Sequence, residues 1–268
     1  MKILLNLKKI IQHIFLEKNI VFGRVTSPEK LHSFLLASRP LKTNFSLVRI
    51  GSLNDGGYLL PDDLSGVAAC FSPGVAKVAD FENQITEKGI PCFLADYSVD
   101  NPPLKNKLFN FEKRFLGQSN NEKYMTLTDW VHRKAPSNGD LILQMDIEGA
   151  EYGVLLDSDN EVLKRFRILI IEFHNFEGLL HQRNFELLNI VFQKLLKNFS
   201  VVHIHPNNFS ATTEYKGYSI PSDIEYTFLR NDRIINSEEA IEFPHPLDTK
   251  NNPLASAEFE LPSCFYKF

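Results

Sequence analysis

From residue 67 onward the chain alternates short apolar runs with amphipathic segments, and this alternation is what most constrains the fold. Residues 67–71, 91–95, 140–145, 168–171, 201–205 and 226–229 predict strands. Residues 79–88, 127–134, 150–165 and 185–197 predict helices, the second capped by Thr126 or Thr128. Strands separated by helices need crossover connections, so most of the sheet should be parallel. Near-continuous apolar runs suit strands covered on both faces by helices. The last two runs are joined without an intervening helical period, which predicts a terminal antiparallel strand pair. The expected class is α/β, with a helical extension over 1–45 and the main domain over 46–268.

Composition narrows the partners. The chain has 268 residues, 43% of them apolar, enough for one sizeable core. Its formal net charge is −4, with no basic stripe, which argues against a nucleic-acid partner. Cys70, Cys92 and Cys264 are odd in number and lack metal spacing, so they read as free thiols of a reducing compartment. Between residues 1 and 18, Leu4, Leu7, Ile10, Ile11, Ile14 and Phe15 recur at helical spacing among lysines. The run is too interrupted for a membrane span and shows no signal-peptide cleavage site. It reads as an amphipathic helix packed on the domain or on another subunit of a homo-oligomer, or as a basic helix on a membrane surface. A cytoplasmic protein, with peripheral contact at the inner membrane as the variant, is the expected location.

In open parallel sheets ligands bind beyond the carboxyl ends of the strands, near the point where the strand order reverses. The residues after each predicted strand are therefore the functional candidates. The first strand leads into Ser72-Pro73-Gly74. A dinucleotide loop would carry three glycines so that pyrophosphate could approach a helix N-terminus. One glycine suits a cofactor without phosphate, such as S-adenosylmethionine, whose amino-acid part could approach Gly74. The second strand ends in Asp96 and Tyr97, about twenty residues on, where a carboxylate typically accepts ribose hydroxyls. Upstream, Asp55-Gly56-Gly57-Tyr58 reads either as a tight hairpin turn or as a loop lying over the cofactor.

Asp146 follows the next strand and Glu172 the one after it, with His174 two residues further on. If these strands are neighbours the two carboxylates stand side by side. They would then share a proton, clamp a divalent metal or hold a substrate hydroxyl. His203 and His205 alternate on the following strand and face one way. Asp146, Glu172 and His205 are the candidate ligands for Mg2+ or Mn2+.

The block Met145-Asp146-Ile147-Glu148-Gly149-Ala150-Glu151, preceded by Thr126-Leu127-Thr128-Asp129, resembles the FkbM family of S-adenosylmethionine-dependent methyltransferases. Asp55-Gly56-Gly57-Tyr58 and Ile171-Glu172 are similar to it as well. The chain departs from the pattern where Thr128 intervenes before Asp129, and where Ser72-Pro73-Gly74 replaces an aspartate-glycine opening. The resemblance implies a Rossmann-like methyltransferase fold and methyl transfer to oxygen, with sugars and polyketides among the family's substrates. From it we expect a carbohydrate or nucleotide-sugar acceptor and a place in bacterial surface polysaccharide synthesis, capsule or lipopolysaccharide. The acceptor hydroxyl needs a base, for which His174 is the first candidate and Asp146 the second. The alternative is a noncatalytic sugar- or nucleotide-binding subunit of a polysaccharide assembly complex.

Overall fold

The computed structural model describes residues 23–255 and 260–268, so the amphipathic stretch over 1–18 lies outside the described residues. Helix α1 (Pro28–Ala37) starts at Ser27, whose hydroxyl accepts the Lys30 N–H, with proline in the first turn. Strand β1 (Leu41–Thr43) is followed by a hairpin of β2 (Leu47–Gly51) and β3 (Gly57–Pro61), then by β4 (Val67–Pro73), α2 (Asp80–Glu87), β5 (Cys92–Ala95) and β6 (Phe109–Glu112). The short ladder β7 (Phe115–Leu116) and β8 (Tyr124–Met125) precedes α3 (Leu127–Lys134) and β9 (Asp140–Met145). Helices α4 (Glu151–Asp157) and α5 (Asn160–Leu163) lead to β10 (Phe166–Phe173), α6 (Gln182–Leu196) and β11 (Phe199–Pro206). The hairpin β12 (Thr212–Tyr215) and β13 (Tyr218–Pro221), then β14 (Ile224–Arg230) and β15 (Ser237–Glu239), complete the strands. Among the described residues no helix is long and apolar enough to cross a membrane.

Seven strands form one mostly parallel sheet in the order β11-β14-β10-β9-β4-β5-β6. Strands β6, β5, β4, β9 and β10 are parallel neighbours, whereas β14 runs antiparallel between β10 and β11. The expected antiparallel pair is present, but the later strand is inserted and the earlier one forms the edge. Chain order moves one way through β4, β5 and β6 and the other way through β9 and β10. The reversal falls between β4 and β9.

The two faces are covered differently. Phe71, Leu143, Ile171 and Phe228 meet α1, α3, α4, α5 and α6 on one side, where Phe34, Trp130, Phe185 and Phe192 fill the core. Cys70, Ile142 and Ile170 face α2 and the β2–β3 hairpin on the other. A β-hairpin therefore takes the place of further helices on that face. Cys70 and Cys92 are register partners on adjacent strands, both free and buried.

Three local differences have physical causes. Strand β6 has the sequence Phe-Asn-Phe-Glu, too short and polar an edge to show as a strand in the sequence. The helix expected over 150–165 breaks at Ser158, which adopts an extended backbone, while Lys194 Nζ donates to the freed carbonyls of Leu155, Leu156 and Ser158. Thr126 caps α3 by accepting the Asp129 N–H, and Thr128 instead accepts the Asp159 N–H at the start of α5.

Candidate active site

At the amino ends of the strands Arg167 joins Asp63 and Asp140 in a buried ion-pair network. At the carboxyl ends, around the point of strand reversal, a cavity of about 650 Å³ opens, within the range of small-molecule sites. Of the residues singled out in the sequence, Asp55, Gly56, Tyr58, Gly74, Asp96 and Asp146 line it. Gly57, Ser72 and Tyr97 do not line it, though the Tyr97 ring packs 5.4 Å from that of Phe115, which does.

Gly74 has φ +95°, and a Cβ there would lie 1.6 Å from the Asp146 carbonyl oxygen. The glycine is thus required first by the close approach of the β4 and β9 loops, and only then by any ligand. Its N–H donates to the Ala95 carbonyl at 2.9 Å, tying the β4 loop to the end of β5. Asp96 is buried, and its Oδ1 accepts both the N–H and the hydroxyl of Ser98 at 2.7 Å. The 55–58 segment is both things its sequence allowed. It is the turn of the β2–β3 hairpin, and it also forms one lip of the cavity.

Beneath this lip runs a buried polar chain. The Ser72 hydroxyl contacts the Glu82 carboxyl and Gln144 Oε1 (2.6 Å), and Gln144 Nε2 donates to the Tyr58 hydroxyl at 3.1 Å. One hydroxyl proton cannot serve two acceptors, so with Gln144 in this orientation a proton on Glu82 completes the chain. Burial pushes Glu82 up to about 7, against the Ser72 hydrogen bond that favours the carboxylate. Sequence reasoning missed Glu82, which lines the cavity from α2, and it missed the apolar wall of Phe115, Leu116 and Tyr124. The only signal for Glu82 was a carboxylate on the buried side of an amphipathic helix.

The Asp146–Glu151 block is a tight loop closed by its own last residue. Glu148 (φ 56°) and Gly149 (φ 99°) turn the chain through left-handed conformations. Glu151, fully buried, accepts the N–H groups of Ile147 and Gly149 at 3.1 Å and lies 3.0 Å from His174 Nδ1. His174 Nε2 in turn sits 3.6 Å from both Asp146 Oδ1 and Glu148 Oε2. Burial works against a charged His174, but the hydrogen bond to Glu151 and the charges of Glu151, Asp146 and Asp223 outweigh it and raise it to about 9. A histidine that is already protonated at neutral pH cannot take a proton from an acceptor. Of the two base candidates read from the sequence, this leaves Asp146 better suited than His174 to accept a proton. Burial pushes Asp146 up to about 7 despite the His174 cation, with Glu148, Glu151 and Asp55 adding to the rise. Its buried Oδ1 has no hydrogen-bond partner among the described residues.

Met145 pairs with Ile171, so Asp146 and Glu172 do stand side by side. Glu172 is buried, receives the Asn207 amide at 2.7 Å, and is held well above the carboxylate range by burial and by Asp146 and Glu225. His205 does not join them. Because β14 lies between β10 and β11, both Glu172 and His205 are register partners of Glu225, on opposite sides of it. That places them two strand spacings, about 10 Å, apart. The metal site expected from Asp146, Glu172 and His205 is therefore not assembled. The residues whose ligand atoms do cluster around Asp146 are Glu148 and His174.

The cavity has a marked sign. Among the described residues, six carboxyl groups line it, those of Asp55, Asp80, Glu82, Asp96, Asp146 and Glu148, against the one cation of Lys77. Asp80 and Glu82 occupy the first turn of α2, where a dinucleotide's pyrophosphate would need unopposed backbone N–H groups. No curated protein matches the chain. Residues 105–199, which run from the approach to β6 through β9, β10 and α6 and carry Asp146, Glu151, Glu172 and His174, match the family model described as the methyltransferase FkbM domain.

Proposed function

We propose that the protein is an S-adenosylmethionine-dependent O-methyltransferase acting on a carbohydrate hydroxyl. The observation that carries this reading is the acidic cavity at the strand reversal, in a chain whose central segment matches a methyltransferase family. A sulfonium cofactor is cationic at its reactive end and has no phosphate, so a lining rich in carboxyl groups attracts it and would repel a dinucleotide, even with Glu82 and Asp146 part-protonated near neutral pH. Asp96 would accept the ribose hydroxyls, and Gly74 with the Asp55–Gly56 lip would hold the amino-acid end. Phe115 and Tyr124 offer an apolar wall for the base. When bound, S-adenosylmethionine supplies an electrophilic methyl group.

The chain's own residues then have distinct tasks. Asp146 accepts the proton of the acceptor hydroxyl, its Oδ1 being buried and without a hydrogen bond among the described residues. Near pH 7 it is divided between its acid and base forms, which suits proton transfer at that pH. The His174 cation keeps Asp146 from rising further and offers a donor to the acceptor oxygen. Glu151 locks that cation in place. Glu148, largely exposed, and Asn175 form a polar rim that suits a hydroxyl-rich acceptor. Placement in bacterial surface polysaccharide synthesis, with a sugar or nucleotide sugar as acceptor, rests on the family alone.

Calorimetric titration with S-adenosylmethionine and with NAD tests the cofactor. Labelled-methyl transfer to a panel of nucleotide sugars and oligosaccharides then tests the reaction. Saturable S-adenosylmethionine binding with methyl transfer to at least one hydroxylated acceptor is the expected result. Tight NAD binding overturns the cofactor assignment, and cofactor binding without turnover across the panel favours the noncatalytic subunit.

A further inference from the structure

The His203–His205 pair, displaced from the cavity by β14, meets a different partner. The chain after β15 returns across the carboxyl end of β11, beside the amino end of β14, and brings in Asp248. Its Oδ1 lies 2.9 Å from His203 Nε2 and 3.3 Å from His205 Nδ1. The two imidazole rings are stacked at 6.5 Å with an interplanar angle of 19°, so both present an edge to the same carboxylate oxygen. All three side chains are at least nine-tenths buried.

We infer that His203, His205 and Asp248 form a binding site for a zinc-class divalent metal ion. The three donor atoms lie within 4.8 Å of one another. A tetrahedral ion with bonds of about 2.0–2.1 Å sets its ligand atoms about 3.3 Å apart, close to the 2.9 and 3.3 Å that separate Asp248 Oδ1 from the two histidine nitrogens. Two imidazoles with one carboxylate favour zinc or its neighbours over magnesium, which prefers oxygen throughout. The surrounding groups orient the ligands as metal sites require. His205 Nε2 meets Asn251 Oδ1 at 2.9 Å, which fixes Nδ1 as the nitrogen facing the site, and Asp248 Oδ2 accepts the His245 N–H at 2.8 Å.

The site would act as a clip. The 245–252 segment that supplies Asp248 also reaches the cavity lip, where the Asn251 carbonyl accepts the Asp55 N–H at 3.2 Å and the Thr249 hydroxyl donates to the Leu53 carbonyl. A metal at its base would hold this strap, and through it the Leu53–Asp55 loop, against the sheet.

The test uses the full chain without an affinity tag, stripped with a chelator and titrated first with Co2+ and then with Zn2+. We expect one equivalent of Co2+ with the visible bands of a four-coordinate ion, displaced by Zn2+, and a higher melting temperature with zinc than in chelator. Asp248→Asn and His203→Gln should each abolish the bands and weaken zinc binding at least about a hundredfold. Should either variant fail to fold, X-ray absorption of the zinc-loaded parent reads its ligands directly, and two imidazoles in the shell are expected. The inference is overturned if the parent takes up no stoichiometric metal, if binding survives in the folded variants, or if the zinc shell lacks two imidazoles. In those cases the three residues are a hydrogen-bonded cluster only.

Discussion

Asp146→Asn should have effects of opposite sign on stability and on catalysis. Burial lifts the Asp146 carboxyl from 3.8 to about 7 in the folded chain, a rise of about three pH units. At 1.36 kcal/mol each this sets a ceiling of about 4 kcal/mol on the cost of ionising it in place. The side chain is 29% exposed and faces the His174 cation, whose counter-charge the substitution removes, so a gain of ~1–3 kcal/mol is the reasonable magnitude. The sign follows from proton binding. Below about pH 4 the carboxyl is protonated in both folded and unfolded chains and the substitution is nearly neutral. Between about pH 4 and 7 the folded chain holds a proton that the unfolded chain releases, so the parent loses stability as pH rises. Above about pH 7 the full gap is present. Denaturant unfolding of parent and variant at pH 4 and pH 8 measures it, and labelled-methyl transfer measures turnover beside it. The variant should be more stable at pH 8 and slower by about 10²–10⁴-fold, and the parent's rise in rate through about pH 7 should vanish. A variant no more stable than the parent at pH 8, or one that turns over at the parental rate, would refute the assignment of Asp146 as a buried, part-protonated base.

Three further predictions concern the groups around it. Nuclear magnetic resonance should place the His174 titration near pH 9, and Glu151→Gln should move it back toward 6.5; an unmoved midpoint would mean that Glu151 does not hold the cation. Gly74→Ala should destabilise the chain by ~2–4 kcal/mol, since it forces a side chain into a left-handed backbone and against the Asp146 carbonyl; an alanine variant of parental stability contradicts the close approach. Asp96→Ala should weaken S-adenosylmethionine binding by ~1–3 kcal/mol in calorimetry while the chain stays folded, and unchanged affinity would remove Asp96 from the ribose site.

Much of this protein was legible along the chain because local chemistry is local in sequence. Apolar runs and amphipathic segments alternate at their own periods, so the strands from Val67 to Ala95 and from Asp140 to Ile171 could be read directly. Asp96 and Asp146 stand at strand ends, and in a parallel sheet the carboxyl ends share one rim, so their grouping followed from the alternation. The Asp-x-Glu-Gly-Ala-Glu block is legible for a similar reason: Glu151 closes on N–H groups two and four residues before it. What the sequence could not decide was the order of the strands and the charge on each group. Placing β14 between β10 and β11 is a choice among distant pairings, and it alone separates His205 from Glu172 and hands it to Asp248, 43 residues along the chain. His174 looked like a base because an isolated imidazole titrates near neutrality. Only the fold brings Glu151, Asp146 and Asp223 around it and burial around Asp146, and these push the histidine toward its charged form and lift the Asp146 carboxyl toward neutrality. Protonation depends on the sum of nearby charges and lost solvent, and both are set by distances that no spacing in the sequence contains.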